Sequence, residues 1–422
     1  MFVFHVAPNV CADTRVIPSI SLSEMYDSNV WFGFTPPGRP KFDYATSVSP
    51  QLTVEHRGRL FEGTFIGGPS ANFYINNPDL NYVGATGIFN GNLDQLAQKL
   101  DRRLSLLVKD NFYYTNQLQP FINAPAGQDP TITGSSIGSG IQAFRVTSTA
   151  NIGMATGSFL LTPSTVFQAT YANSLIRFGG TFSDQTQVGD TVSNQTQVSA
   201  FGVTSHSLTA GPLWRITPRD TVGANYTYST ADFEISGLPG GGRFSTQGGS
   251  LTWSRLLTPT LTANVQGGIQ VLDSGDTPVG PGQVGGQASN LLYVTSTSLT
   301  WRYDDNSLLT LSYSRSVVPS FFVVPVPLVS NVVSASFSQQ LSEKVSATES
   351  ANYAHSEDEA SILSFVSYSG TVSLNYAISR SLTAMAMYTY FNLEYIDSSS
   401  GSAVRFAFDR SLITVSLKAS WN

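Results

Sequence analysis

The chain has 422 residues with a net charge of −6, and only 12% of them are charged, about half the roughly 25% of an ordinary soluble domain. Aromatic residues also reach 12%, which argues against a disordered chain, and no stretch approaches the ~18 uninterrupted apolar residues of a membrane-spanning helix. There is no basic patch or stripe, which argues against nucleic acid as a partner. What remains is a large β-protein rich in Ser, Thr, Asn, Gln and Gly.

The N-terminal segment Met1–Ala12 is short and apolar, and Val10 and Ala12 precede Asp13 as they would in a signal-peptide cleavage site. It lacks the basic residues and the length of a full signal, so a disordered start is the alternative. Cys11, the single cysteine, cannot form a disulfide within the chain. We therefore assign residues 1–15 to an N-terminal segment, either the remnant of a signal peptide or a disordered start, and residues 16–422 to one domain.

Further along the chain, apolar and polar residues alternate with a period of two, which places them on opposite faces of a strand. Thr260–Val271 has Leu, Ala, Val, Gly and Ile at its odd positions and mostly Thr, Asn and Gln at its even ones. The same split follows Thr221, recurs around Leu309–Ser314, and returns in Ile413–Trp421. A period of two is incompatible with an amphipathic helix, whose faces repeat every 3.6 residues.

Two kinds of connection alternate between these strands. Eight are short turns, at 57–60, 99–103, 161–165, 216–220, 257–260, 304–307, 341–344 and 378–381. Nine are longer loops rich in Gly, Pro, Asp and Ser, at 28–43, 72–82, 116–141, 179–193, 234–243, 272–288, 317–326, 355–361 and 395–403. Together they predict about 18 strands (16–18), with both termini on the short-turn side.

Many predicted strands have about ten or more residues, the length that crosses a bilayer at a tilt, whereas soluble strands average about 5–6. In hydrocarbon every backbone N–H and C=O needs an internal partner, so strands can span only as a closed barrel. We therefore predict an all-β fold: a transmembrane antiparallel up-and-down β-barrel with short periplasmic turns and long extracellular loops, in the outer membrane of a Gram-negative bacterium. Its apolar side chains would face lipid and its hydroxyl-rich set a wet lumen.

Two early segments, Pro18–Val30 (PSISLSEMYDSNV) and Thr46–Val54 (TSVSPQLTV), carry a resemblance to a known family. They resemble the first strands of outer-membrane β-barrel porins encoded at exopolysaccharide and exosortase loci. The turns Leu257–Thr262 and Ile378–Thr383 look like the repeated turns of those proteins. The specific likeness covers about a tenth of the chain, and it implies an outer-membrane pore or scaffold that serves polymer export. It carries over no functional residue.

The C-terminus is similar to the signal that the barrel-assembly machinery recognises, in which apolar residues alternate up to a terminal aromatic residue. The residues concerned are Val415, Leu417, Ala419 and Trp421. It departs from that signal by one position, because Asn422 follows the tryptophan.

Alternation places five basic side chains on the lumen side of the predicted wall: Lys109, Arg145, Arg302, Arg410 and Lys418. A basic lumen would favour anionic solutes by focusing the potential within the pore. The alternative is that each cation pairs with a carboxylate in the lumen and braces the wall.

Two acidic residues, Asp110 and Glu349, fall on the lipid side of the same alternation. Either they lie near the membrane interface or the register slips at these positions.

An acidic cluster with one histidine occupies the predicted loop 355–361. It comprises His355, Glu357, Asp358 and Glu359. Its oxygens could hold a divalent cation, although an ordinary solvated loop explains them as well. No Ser/His or Asp/His spacing indicates a nucleophile beside a base, so we predict no enzyme, no metal and no cofactor.

Two functions follow from the predicted barrel. The first is a porin-like channel for small polar solutes or an exported polysaccharide, with loop 116–141 as a candidate constriction. The second is a non-conducting barrel that anchors a surface polymer or a periplasmic partner. The expected partners are outer-membrane lipid and lipopolysaccharide and the barrel-assembly machinery, and the oligomeric state stays open between a monomer and a homo-oligomer.

Overall fold

The computed structural model describes residues 13–32, 35–115, 147–179, 201–235, 242–273, 289–319, 327–358, 363–397 and 404–421. The predicted site residues Arg145 and Glu359 and the loop 116–141 lie outside them. Among the described residues, no helix is long and apolar enough to cross a bilayer.

The described residues form long strands, one short α-helix and one 3-10 turn. In chain order the strands are β1 (Asp13–Asp27), β2 (Asp43–Arg57), β3 (Glu62–Tyr74), β4 (Tyr82–Asn92), β5 (Leu104–Thr115), β6 (Thr147–Thr162), β7 (Thr165–Gly179), β8 (Phe201–Arg215), β9 (Asp220–Ile235), β10 (Arg243–Thr258), β11 (Leu261–Asp273), β12 (Ser289–Asp304), β13 (Ser307–Pro319), β14 (Pro327–Gln340), β15 (Val345–Glu357), β16 (Leu363–Ala377), β17 (Leu382–Asp397) and β18 (Val404–Ser420). The helix is α1 (Asp94–Ala97), and the 3-10 turn is Pro78–Leu80.

The 18 strands make one closed antiparallel sheet in which each strand pairs with its sequence neighbours. The ring closes where β1 pairs with β18, with Leu22 opposite Leu417, while the other edge of β1 pairs with β2 over its whole length. The predicted fold class, an all-β antiparallel up-and-down barrel of about 18 strands, is confirmed. Closure leaves no free sheet edge, so the wall satisfies its own backbone hydrogen bonds.

The two faces of the wall differ as the alternation requires. We call the convex surface the outer face and the surface that encloses the lumen the inner face. Large apolar side chains stand exposed on the outer face, for example Leu251 at 67% and Tyr293 at 59%. Their sequence neighbours on the inner face, such as Ser250 and Thr252, are small and polar. The apolar side chains are therefore the exposed ones, and they lie on the outer face.

Short connections join the strands at the end of the barrel where β1 begins. In three of them a threonine hydroxyl accepts hydrogen bonds from the turn backbone: Thr162 from the Ser164 amide, Thr258 from the Thr260 amide, and Thr217 from the Arg219 and Asp220 amides. These hydroxyls replace backbone partners that a tight turn leaves free, which explains why such short sequences suffice.

The fourth and fifth strands are joined differently, because this connection contains α1. Asp94, at the first turn of α1, accepts hydrogen bonds from the Ser105 hydroxyl and the Leu106 amide. The connection is thereby fastened to the start of β5.

The pairing of β2 with β3 is interrupted in the middle of both strands. The ladder runs from Ala45 to Val48 and resumes at Leu52, so that Pro50 and its neighbours are skipped. At this point Gly68 approaches β2 so closely that a Cβ atom would lie 2.0 Å from the Pro50 carbonyl oxygen. Proline has no N–H to offer the ladder, and glycine permits the close approach.

Several element boundaries differ from the sequence expectations, and two of the differences affect predicted segments. The first strand begins at Asp13, where it pairs with Arg57, so residues 13–15 belong to the wall rather than to an N-terminal segment. The fifteenth strand continues to Glu357, because its pairing with β16 extends that far, so residues 355–357 of the predicted loop 355–361 belong to the strand.

Candidate functional site

The inner face of the middle wall is lined with hydroxyl groups. Several of them bond to each other across neighbouring strands, as do Thr371 with Thr389 and Thr156 with Thr170, each pair at 3.1 Å. Each hydroxyl can donate one hydrogen bond and accept two, so a paired hydroxyl keeps acceptor capacity for water or solute. The arrangement makes a neutral polar surface.

A polar pocket of about 330 Å³ opens on the inner wall of β2–β5. Its side chains stand in two cross-strand rows: Glu55, Thr64, Asn90 and Lys109 in one, and Arg57, Glu62, Asn92 and Leu107 in the other. Two carboxylates and two cations thus share one concave wall. Among the described residues these four charges form no ion pair with one another within 4.0 Å, so they remain available to a solute of either sign.

The structure places Lys109, Arg302 and Lys418 on the inner face. Lys109 lines the pocket, whereas Arg302 lies at the short-turn end of β12 and Lys418 between Ser21 and Thr383. No described carboxylate forms an ion pair with any of the three.

Arg410 is also on the inner face, but it is buried at 6% exposure and does not line open water. Its guanidinium donates two hydrogen bonds to Asp27, from Nε to Oδ1 at 3.0 Å and from Nη2 to Oδ2 at 2.6 Å, and lies over the Phe32 ring at 4.6 Å. The alternation of the sequence places Arg410 on the inner face, as the structure does, but it does not show that the side chain is buried. A bidentate pair of this kind ties β18 to the end of β1.

A second buried carboxylate, Asp43, lies directly opposite Asp27 in the β1–β2 ladder. It has no cation beside it among the described residues. Instead it accepts hydrogen bonds from the backbone amides of Tyr44, Asn76 and Asn77 and from the Asn77 side chain. These donors stabilise the charge and fasten the β3–β4 connection to the start of β2.

Sequence reasoning did not single out Asp27 or Asp43. Asp27 shares the inner parity of Ser19, Ser21 and Ser23, and the same alternation test that selected Arg410 would have selected it. Asp43 gave no such signal, because its partners come from a connection whose path the sequence does not specify.

At the long-loop end the inner face changes from polar to apolar. Buried side chains of β6–β11 and β13 form one cluster there, which includes Ile176, Phe178, Val203, Phe233, Phe244 and Leu272. The chain after β1 turns into the mouth and adds to two further clusters. Val30 packs with Ala45 and Tyr74 on one side, and Phe32 packs with Leu328 and Phe408 on the other. We call these three clusters together the apolar collar.

Phe32 is held in an unusual backbone conformation, with φ of +53°, and its side chain is fully buried. A bulky residue adopts positive φ only when its surroundings compensate the strain. Packing against Phe408 at 6.1 Å and the Arg410 guanidinium provides that compensation. The segment 28–32 is thus a described part of the chain that enters the mouth, and the predicted constriction 116–141 lies outside the described residues.

The predicted acidic cluster is divided by the end of β15. His355 and Glu357 lie on the outer face of β15, and the Asp358 carboxylate accepts a hydrogen bond from the Leu363 amide at 2.8 Å. The His355 ring nitrogen Nε2 lies 3.4 Å from the Ser364 hydroxyl. No group of three or more potential metal-ligating His, Cys, Asp or Glu side chains occurs in the ranges that the structure describes.

The residues of the C-terminal pattern share the outer face of β18. Val415 and Leu417 are exposed at 56% and 47%, Ala419 follows them, and Trp421 lies just beyond the strand. They form part of the continuous apolar outer surface next to Leu22 of β1.

One titratable pair lies in the connection between β4 and β5, outside the strands. A hydrogen bond from the Arg103 guanidinium, supported by one from its backbone amide, lowers the pKa of the Asp101 carboxyl from 3.8 to about 2. The same contact raises the pKa of Arg103. The pair is exposed and stabilises the turn locally.

No protein-family model and no curated protein matches the chain. Among solved structures it is similar to the siderophore receptor PirA from Acinetobacter baumannii, with 7% identity, a TM-score of 0.44, and 96% of this chain and 80% of that chain covered. It is also similar to OccAB3 from Acinetobacter baumannii (12%, TM-score 0.40, 96% and 99% covered) and to OccK11 from Pseudomonas aeruginosa (11%, TM-score 0.41, 96% of each covered).

Proposed function

We propose that the protein is a channel of the Gram-negative outer membrane that passes polar solutes through its lumen. The observation that carries the proposal is the inversion of the wall: large apolar side chains are exposed on the outer face, and hydroxyl and amide groups line the inner face. Exposing this apolar outer face to water would cost about 25 cal/mol per Å² of apolar surface, whereas contact with the hydrocarbon of a bilayer carries no such cost.

The inner face indicates the kind of solute. Paired hydroxyls offer hydrogen bonds without fixed charge, the pocket around Lys109 carries two cations and two carboxylates, and Arg302 and Lys418 add positive potential near the short-turn end. An 18-stranded wall is wide enough for an aqueous channel. We therefore expect passage of small polar solutes with a preference for anions.

A polysaccharide is the finer candidate, since its hydroxyls would match those of the wall. This part of the proposal rests on the likeness of the first two strands to barrels of exopolysaccharide loci. The proposal includes lipopolysaccharide around the outer face and recognition of β18 by the barrel-assembly machinery, and it assigns no catalytic step to the chain.

A non-conducting docking barrel is the second candidate, and the apolar collar favours it. A hydrophobic constriction at the mouth of a channel excludes water and blocks ions. A barrel with a closed mouth would not conduct, and it would act as an anchor for a surface polymer or a periplasmic partner.

Conductance across a planar bilayer separates the two. Native protein and the variant Phe32→Ser would be compared with Phe73→Ser, which removes a phenyl ring from the outer face, where Phe73 is 51% exposed. Ohmic, anion-selective steps in the native protein support a channel, whereas steps in Phe32→Ser alone show that the collar closes the native barrel and support the docking barrel. Silence in all three, with intact barrels by circular dichroism, contradicts it and supports the docking barrel.

A further inference from the structure

Three arginines with described side chains lie on the outer face towards the long-loop end: Arg177 on β7, Arg243 on β10 and Arg315 on β13. Two of them have a carboxylate partner on the same face. Arg177 pairs with Glu234, and Arg243 pairs with Asp232 at 3.3 Å. Arg315 differs from them, since no carboxylate in the described ranges lies within 4.0 Å of its guanidinium.

The guanidinium of Arg315 is held by neutral groups instead. It lies over the Tyr293 ring at 4.1 Å, and its Nη1 atom donates a hydrogen bond to Asn331 Oδ1 at 3.1 Å. Its Nε atom is shielded from solvent and finds no hydrogen-bond partner in the described wall. An amide and an aromatic ring orient the guanidinium, but neither carries the negative charge that would compensate it.

Asn331 is oriented by the same contacts. Its Oδ1 also accepts a hydrogen bond from the Tyr313 hydroxyl at 3.1 Å. Because arginine can only donate, the amide oxygen must face Arg315, and the Nδ2 group then points away from it with two N–H donors. His355 follows Asn331 in the same ladder row, on the next strand. We call Arg315, Asn331 and His355 the arginine site.

The height of the arginine site matches the headgroup level of a bilayer. Arg315 lies eight residues beyond Ser307, the first residue of β13. At about 3.4 Å per residue and a tilt of about 40°, it is about 20 Å above the short-turn end, near the upper edge of an apolar band about 25 Å tall. Closer to the short-turn end the same face is apolar, with Leu311 exposed at 42% and Val333 at 51%.

We propose that the arginine site binds the phosphate group of an outer-leaflet lipid, whose acyl chains lie along the apolar surface around Leu311 and Val333. The proposal rests on the placement of the outer face in a bilayer, which is part of the proposed function, and does not depend on conduction. A guanidinium binds phosphate through paired N–H donors, and basic sites at headgroup level recognise phosphorylated lipids.

Charge and shape favour a lipid phosphate over a free anion. An ionised group on a membrane-facing wall is costly unless it has a partner, and a phosphate provides the counter-charge that Arg315 lacks. The outward carboxylates of β15, Glu349 and Glu357, form no ion pair with Arg315. A free anion would use the cation alone, whereas a lipid also covers the apolar side chains beneath it.

Native mass spectrometry of the detergent-extracted barrel, titrated with diphosphoryl lipid A, tests the site. We expect the native protein to retain lipid A, and Arg315→Gln should weaken the tightest binding at least about tenfold. Arg243→Gln removes the same charge from an arginine that Asp232 already compensates, and it should change the binding less than about twofold. Equal weakening in the two variants, or none in Arg315→Gln, overturns the proposal.

Two further ligands identify the chemical group. Lipid A without phosphates should bind the native protein no better than diphosphoryl lipid A binds Arg315→Gln, and equal binding of the two lipids to the native protein contradicts recognition of phosphate. Inorganic phosphate should not displace diphosphoryl lipid A, and displacement would assign the site to a free anion. A native barrel that retains neither lipid contradicts the placement of the outer face in a bilayer, and the proposed function with it.

The variant Asn331→Asp separates binding from folding. Its new carboxylate replaces the amide that contacts Arg315 and supplies the counter-charge from within the wall, so thermal unfolding should show a barrel at least as stable as the native one. Binding of diphosphoryl lipid A should still fall about tenfold, because the phosphate then meets a neutral pair. Unchanged binding in this variant overturns the proposal.

Discussion

At the scale of single residues, the mouth of the barrel depends on how each charge is compensated. Asp27 has a cation and Asp43 has only N–H donors, although the two carboxylates stand opposite each other on neighbouring strands. Arg410 is therefore needed for one charge and not for the other. Removing one partner of a buried ion pair leaves an uncompensated charge, which costs far more than the pair contributes.

We predict that Asp27→Asn lowers the free energy of unfolding by about 3–5 kcal/mol, because Arg410 stays buried without its counter-charge. The exposed pair of Arg39 with Asp79 provides the control, and Arg39→Gln should cost about 0–1 kcal/mol. Urea unfolding in lipid vesicles measures both. Similar small losses in the two variants would mean that water reaches the Asp27 carboxylate.

A second prediction concerns pH at the β4–β5 connection. The hydrogen bond from Arg103 holds the pKa of Asp101 at about 2, below its ordinary 3.8, so the contact is complete above pH 3.8 and is lost as the pH falls towards 2. In Arg103→Gln the titration midpoint of Asp101 should return towards 3.8. Carboxyl-selective NMR would follow it, and a midpoint that stays low in the variant would assign the shift to the backbone.

At the scale of elements, the strands follow from sequence and the connections follow only in part. A period of two runs through many strands because the two faces meet different surroundings. The alternation of short turns with long loops predicts about 18 strands (16–18), and the barrel has 18. The alternation does not determine where a strand ends, and it does not show that β15 extends through His355 to Glu357. Pairing with β16 decides that boundary, and pairing is a property of two segments.

The interrupted ladder between β2 and β3 supports a third prediction. Gly68→Ala should destabilise the barrel by about 1–3 kcal/mol, because the new methyl group would collide with the Pro50 carbonyl. Gly157→Ala, with open space around its Cβ position, should change stability by no more than about 0.5 kcal/mol. Thermal unfolding in detergent compares the two, and equal effects would show that β2 moves aside freely.

At the scale of the whole molecule, the inversion of the wall was predictable and the apolar collar was not. Alternation distinguishes two faces along each strand, and low charge with moderate hydropathy indicates which face is wet. It does not reveal that Phe32, from a connection, meets Phe408 from the last strand, because that contact depends on the closed ring. Lys109, Arg302 and Lys418 could be placed on a face from the sequence, whereas their lack of ion pairs with described carboxylates depends on neighbours in space that the sequence does not give.

The inversion itself yields a fourth prediction, based on two adjacent residues at mid-strand in β10. Leu251→Lys places a charge on the outer face and should cost about 2–4 kcal/mol in a bilayer. Thr252→Lys places it on the wet inner face and should cost a small fraction of that. Urea titration in vesicles gives both values. The reverse order would indicate a water-soluble barrel with its hydrophobic side inward.

The tie between Asp27 and Arg410 joins residues 383 positions apart. Because synthesis proceeds from the N-terminus, Asp27 is made long before Arg410, and its carboxylate lacks this ion-pair partner until the last strand has been made. A truncated chain without β18 would leave the Asp27 carboxylate unpaired by Arg410 at the open edge of β1. The buried pair therefore forms only when β1 and β18 meet, so a chain that lacks β18 also lacks this contact.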